Sequence, residues 1–413
     1  MSQEKFAERI RITDQAIRHE EADRIPIWCQ YGSTPFVLSD GAATYRDSMY
    51  DFEKAAEAII KFHADFQPDA QLANMVSGRV EEIAETAVLD WPGRPGTSVP
   101  DESIYQVLEP ELMTEDEYDE LFSDRTGFLL HKYIPRAFPG LAGLGKVLNP
   151  TPCAYMYFSQ LGSLFSAEAI EAYEKLIEIA KASAECQAAI KKMQGTLFGM
   201  GFPPLMTGVG MVPYDTLSNY FRHTVDTFED LMFQEENVER AVNLFADLQI
   251  QNLQYFRFVD MPVKRVMFWM HKGMDGFMNP EQFEKYYWKP FLKVINALVN
   301  MGVTPVIYTE GPYETRLEQM VGLPVGKCVV HFEKVDLQRA KDTVGKESCI
   351  TANFPIYLLE YGTKQQVVDE VKRQIDIGAP GGGFIWETNA SIQVVKRENL
   401  EAMYDTVREY GRK

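Results

Sequence analysis

Cysteine is scarce in this 413-residue chain, which has only Cys29, Cys153, Cys186, Cys328 and Cys349. Their number is odd and they form no CxxC pair. That excludes a disulfide framework and a Cys-rich zinc finger, and it points to a reducing, cytoplasmic setting. Positive charge is also short: 41 Lys and Arg stand against 60 Asp and Glu, for a net charge of −19. So acidic a body repels phosphate backbones, so nucleic acid and anionic membranes are not expected partners. No run approaches the roughly 18–20 apolar residues that cross a bilayer. The charged opening MSQEKFAERIRITDQAIRHEEADRIP lacks the apolar core of a signal peptide. No short repeat or low-complexity tract is visible.

What the chain does have is a strand-like run that ends in an acid, Thr304-Pro305-Val306-Ile307-Tyr308-Thr309-Glu310-Gly311. A second run, Cys328–Glu333, carries His331 at its tip, and a third runs from Phe384 through Glu387 to Asn389. Side chains alternate along a strand, so Tyr308 shares a face with Glu310, His331 with Glu333, and Glu387 with Asn389. If these strands are parallel neighbours, their carboxyl ends gather Glu, His, Glu and Asn in one place. Such a set is either a group of metal ligands or an acid/base cluster.

The C-terminal half alternates strand and helix. Lys264–His271 reads as a strand. Asn279-Pro280-Glu281 then opens a helix with an N-cap, a proline in the first turn and an early acid. Helices are expected near Tyr313–Met320, over Asp336–Thr343 before a strand Ser348–Asn353, from the capping box at Thr363, and over Arg397–Tyr410. This order implies a parallel sheet. With Arg24–Tyr31, Asp69–Asn74 and Pro204–Val209 as earlier strands, the count reaches eight. The expected fold is therefore an α/β (β/α)8 TIM barrel forming one domain over 1–413. It has an N-terminal helical cap (1–65) and a barrel (66–413) with an elaborated insertion at about 76–200. Ser166–Gly199 reads as a long amphipathic helix, a wall or a homodimer surface. Gly378–Gly383 precedes a strand and belongs to the rim opposite the site.

Several segments resemble the uroporphyrinogen decarboxylase superfamily, and within it the corrinoid-dependent methyltransferases: DRIPIW, DFEKAAEAIIKFHADFQPDA, VIYTEG, ITANFP, YGTKQQVVDEVKRQID, GGGFIWETN and KRENLEAM. The resemblance implies the same barrel. It argues against true uroporphyrinogen decarboxylase, which carries an arginine-containing motif after the first strand where this chain has Cys29-Gln30-Tyr31-Gly32-Ser33. A substrate with many carboxylates needs guanidinium partners. The thiol-methylating branch has a His-x-Cys zinc motif where this chain has Tyr308-Thr309-Glu310. Its further Cys after the last strand is matched here by Asn389. What the resemblance then implies is a zinc site rebuilt from Glu310 and His331, completed by Glu387 or Asn389. Such a site suits an ether or alcohol oxygen as leaving group. On that reading the protein takes a methyl group from a small methoxylated, aromatic substrate. It passes the methyl to a corrinoid on a separate protein, because this chain lacks the DxHxxG cobalamin motif. His271 and Tyr308 would act on the oxygen, and Trp28, Tyr31, Trp269 and Asn353 would contact substrate. A decarboxylase, a methylcobalamin:thiol methyltransferase and a metal-free, non-catalytic barrel are the alternatives.

Overall fold

Six parallel strands run side by side in chain order in the computed structural model, which describes residues 2–72, 75–147 and 161–412. They are Gly208–Val209, Arg265–Met270, Thr304–Pro312, Val329–Lys334, Cys349–Thr351 and Phe384–Ile385. Two extended segments close the gap between the first and the last. Trp28 N donates to the Trp386 carbonyl at 2.9 Å, and Asp69 N to the Ile27 carbonyl at 2.7 Å. Leu205 N donates to the Gln71 carbonyl at 2.8 Å. Parallel bridges join Ile27 to Trp386 and Gln71 to Pro204. Segments 25–31 and 69–71 are thus the first two staves of a closed eight-membered (β/α)8 barrel, as expected. The cap expected over 1–65 divides accordingly: residues 25–31 are barrel wall, and the helix Ser2–Ile17 lies against one end.

The barrel interior is packed. Trp28, Ala70, Leu205, Met267, Val306, Val329, Cys349 and Ile385, one from each stave, form a buried cluster with Tyr308. Ala16 and Ile17 of the first helix join it from below, and Asp14 reaches Arg265 at the start of its strand, 3.4 Å away. Layers of inward side chains fill a barrel of this size, so the mouth stands above a filled core.

Local signals explain the outer layer. The Asn279 side chain accepts from Gln282 N in a capping box, and the helix runs on through a π-helical turn, Phe283–Trp288, to Val299. Thr363 caps Lys364–Gly378 in the same way, and the last helix is Arg397–Tyr410. Ser166 caps the long helix Ala167–Gly199. Two expectations fail. The stretch Tyr313–Met320 forms only the short turn Glu314–Arg316. There Arg316 is drawn to the carbonyls of Gly273 (3.1 Å) and Met278 (2.5 Å) and covers the Phe283 ring. His331 is not at a strand tip, because its strand continues to Lys334. The insertion holds a small antiparallel hairpin, Leu89–Asp90 with Gln106–Val107, and several short helices. Cys153, and the end of the Asp69–Asn74 run, lie outside the described residues. Among those residues no helix is long and apolar enough to cross a membrane.

Candidate active site

The register of three neighbouring strands lays a row of rings across the barrel mouth. Trp269 pairs with Tyr308, and Tyr308 with His331. The ring centroids of Trp269 and Tyr308 lie 6.5 Å apart, and those of Tyr308 and His331 4.5 Å apart. Two residues further along, on the same face, come Glu310 and Glu333. The strand leaves the pleat there through Gly311, at φ +89°, a conformation glycine adopts without strain. Gly311 N donates to Glu333 Oε2 at 2.5 Å, tying the two strand ends together. Above the rings is a cavity of about 290 Å³. Its walls are Trp269, Tyr308, Glu310, His331 and Glu333 from the strands, Gln30 from the first stave, and Thr388, Asn389, Ser391 and Gln393 from the loop after the last strand. Ile104 of the insertion closes one side.

Glu310 faces His271, with Oε2 3.3 Å from Nε2. Its carboxyl is pushed above the ordinary carboxylate range, chiefly by lost hydration. His271 and Lys272 oppose that shift, and Glu333 and Asp215 add to it. His271 is held on two sides. Asn219 Nδ2 lies 2.6 Å from its Nδ1. An amide N–H donating there leaves the ring proton on Nε2, toward Glu310. Below, the buried Asp215 accepts from His271 N (2.8 Å), Lys272 N (3.0 Å) and the Tyr287 hydroxyl (2.7 Å). The π-helical turn contributes Tyr287 to this arrangement. Lys272 is engaged by Glu109 of the insertion at 2.8 Å.

Behind the ring row lies a second acid. Glu387 is fully buried; its Oε1 accepts from Gln30 N at 3.1 Å and Thr388 N at 3.2 Å. The Tyr308 hydroxyl donates to its Oε2 at 3.3 Å. Burial pushes this carboxyl up to about 7 against the pull of those three donors. His331 is buried too and held down to about 4. Its Nδ1 meets the Thr351 hydroxyl at 2.7 Å and its Nε2 the Asn389 carbonyl at 3.1 Å.

The structure thus brings Tyr308, Glu310, His331, Trp269 and Asn389 to one cavity, with His271 beside Glu310. It does not assemble the expected zinc ligand set. Both His331 nitrogens are in hydrogen bonds, and Glu387 is sealed behind Tyr308. Asn389 Oδ1 accepts from Ile356 N at 2.9 Å, and Glu310 turns to His271. Among the described residues no three His, Cys, Asp or Glu side chains are grouped to hold a metal ion. The donors as arranged do not fit zinc.

Three expected substrate contacts lie elsewhere. Trp28 is in the barrel core with Arg265 over its ring. Tyr31 packs outward on Phe62 and His63. Asn353 binds the Val335 carbonyl at 3.0 Å, fastening one loop to the next. Sequence reasoning missed Gln30, Asp215 and Asn219. Alternation from inward Trp28 would have pointed Gln30 inward and Tyr31 outward. Asp215 sits in the first turn of a helix that follows a strand's carboxyl end, a place where barrels put functional acids.

The sequence model of the uroporphyrinogen decarboxylase (URO-D) family matches residues 163–410, more than half of the chain. No curated protein matches it. Among solved structures, a methyltransferase from Methanosarcina mazei superposes with a TM-score of 0.57 at 13% identity. The match covers 96% of this chain and 97% of that one. At that identity the likeness speaks to the fold.

Proposed function

Given that the chain belongs to the uroporphyrinogen decarboxylase family, we propose that it is a methyltransferase of that fold. Its substrate is a small methoxylated arene, and the methyl acceptor is a corrinoid carried by a separate protein. The observation that carries this reading is the cavity itself. It has an aromatic wall, the Glu310 carboxyl at its lip with His271 Nε2 3.3 Å away, and, among the described residues, no Lys or Arg in its lining. A cavity of about 150 Å³ holds benzene, so about 290 Å³ suits one substituted ring and is too small for a tetrapyrrole. A polycarboxylated decarboxylase substrate would also lack counter-ions there.

The corrinoid would supply the reduced cobalt nucleophile that takes the methyl carbon. This chain's residues do the rest. Trp269 and Ile104 hold the ring and limit its rotation. Glu310, in its protonated form, donates to the ether oxygen as the carbon–oxygen bond breaks, so that the arene leaves as a phenol and not as a phenolate. His271, with Nδ1 occupied by Asn219, keeps the carboxyl aimed and presents Nε2–H to the carboxylate that remains. Asp215 fixes the backbone that carries His271. The test is a methyl-transfer assay with methoxylated arenes and a reduced corrinoid, read from the methylcobalt spectrum. Transfer that disappears in Glu310→Ala supports the reading. Transfer only from methylcobalamin to a thiol would reverse its direction and sink it.

A further inference from the structure

We infer that the barrel mouth excludes anions: the methoxyarene it takes carries no carboxylate, phosphate or sulfonate, and an ammonium substituent strengthens its binding. This deepens the proposed function and rests on it for the identity of the ligand as an arene.

Glu310 and Glu333 stand on adjacent strands just above the ring row, and both line the cavity. Gly311 N, bonded to Glu333, holds the second carboxylate in place next to the first. Glu333 is close enough to raise the proton affinity of Glu310, so the two carboxylates feel each other directly. The groups that oppose them, His271 beside Glu310 and Lys272 on Glu109, stand outside the lining. Among the described residues the cavity wall contains no Lys or Arg, and Lys272 is committed to Glu109. His331 is neutral, with both nitrogens engaged. The remaining polar wall, Gln30, Thr309, Thr388, Asn389, Ser391 and Gln393, is uncharged. A ligand carboxylate would enter a half-desolvated space facing one or two like charges with no partner, which costs binding at short range. An ammonium in the same place meets Glu333 directly and the faces of Trp269 and Tyr308 nearby. The net charge of −19 adds a long-range term of the same sign.

The experiment uses three dimethoxybenzenes that differ only in one substituent: aminomethyl, methyl and carboxymethyl. Binding to the purified full-length protein is read by calorimetry and by quenching of tryptophan fluorescence, with no corrinoid present. The expected order of affinity is ammonium, then neutral, then carboxylate, with about tenfold or more between the two ends at low salt and less at high salt. Glu333→Gln should shrink that spread severalfold, and Glu333→Lys should invert it, with folding of each variant checked by its thermal transition. Equal affinities, a tighter carboxylate, or no binding of any of the three overturns the inference. Binding is measured apart from turnover. The expected order with no methyl transfer would therefore leave the anion-excluding site standing and refute the methyltransferase reading alone.

Discussion

Replacing Glu387 by Gln tests the buried half of the site with a number attached. The carboxyl is fully buried and its proton is held up to about 7, against an ordinary value of 4.5. The folded protein therefore binds this proton more tightly than the unfolded chain does. The resulting stabilisation is complete below about pH 4.5 and is lost as the pH rises through about 7. At about 1.36 kcal/mol per pH unit, that gap amounts to roughly 3 kcal/mol. A glutamine fits the same bonds. Its oxygen can accept from Gln30 N and Thr388 N, which both use Oε1, and its amide can donate to the Tyr308 oxygen. It thus mimics the protonated acid at every pH. Urea unfolding of both proteins between pH 4.5 and 8.5 should show the variant matching the parent at the acid end. By pH 8 the variant should be more stable by about 3 kcal/mol. The difference between the two curves is the quantity to follow. His331 and His63, both held down to about 4, destabilise both proteins as pH falls through 6.5, so they partly mask Glu387 in the parent's own curve and cancel in the difference. A difference that stays flat across the range would refute the assignment of a high proton affinity to Glu387.

Other substitutions probe the rest of the site. Glu310→Gln should slow methyl transfer by about 10²–10⁴-fold and leave binding of a neutral dimethoxybenzene within a few fold, measured by single-turnover spectra and calorimetry. Because the Glu310 carboxyl is raised, parent activity should decline as pH rises through its titration, and the variant should lose that limb. Asp215→Asn sets an amide N–H against a backbone N–H of His271 or Lys272. It should cost about 1–3 kcal/mol in urea unfolding and lower turnover through the displaced His271. Arg222 binds Asp230 at 2.7 Å and the Met113 carbonyl at 2.6 Å while nearly fully buried, joining the insertion to the barrel. Arg222→Met, which strands Asp230, should cost about 3–5 kcal/mol.

The C-terminal staves were legible from apolar runs such as those within Arg265–Met270, Thr304–Pro312 and Val329–Lys334, punctuated by helix caps at Asn279, Asp336 and Thr363. The first staves were harder to bound, since 25–31 and 69–71 pair through only a few hydrogen bonds. At the site, alternation along a strand was enough to place Tyr308 with Glu310 and His331 with Glu333. It could not give depth. Trp28 and Trp269 both face inward, yet one is buried in the packed core and the other walls the cavity. Nor could it show what each donor binds. His331 has the chemistry of a metal ligand, and only the fold reveals Thr351 and Asn389 at its two nitrogens. The partners of His271 come from a helix about 50 residues upstream, a contact no local pattern encodes.

Methyl transfer from an arene ether to cobalt, assisted by Glu310, is the step proposed for this cavity. Its most direct test is the absorbance of a reduced corrinoid mixed with this protein and a dimethoxybenzene. The methylcobalt spectrum should grow in step with release of the methoxyphenol, and both should vanish together in Glu310→Ala. Methylcobalt formation that persists unchanged in that variant, or its absence with every methoxylated arene offered to the parent, would contradict it.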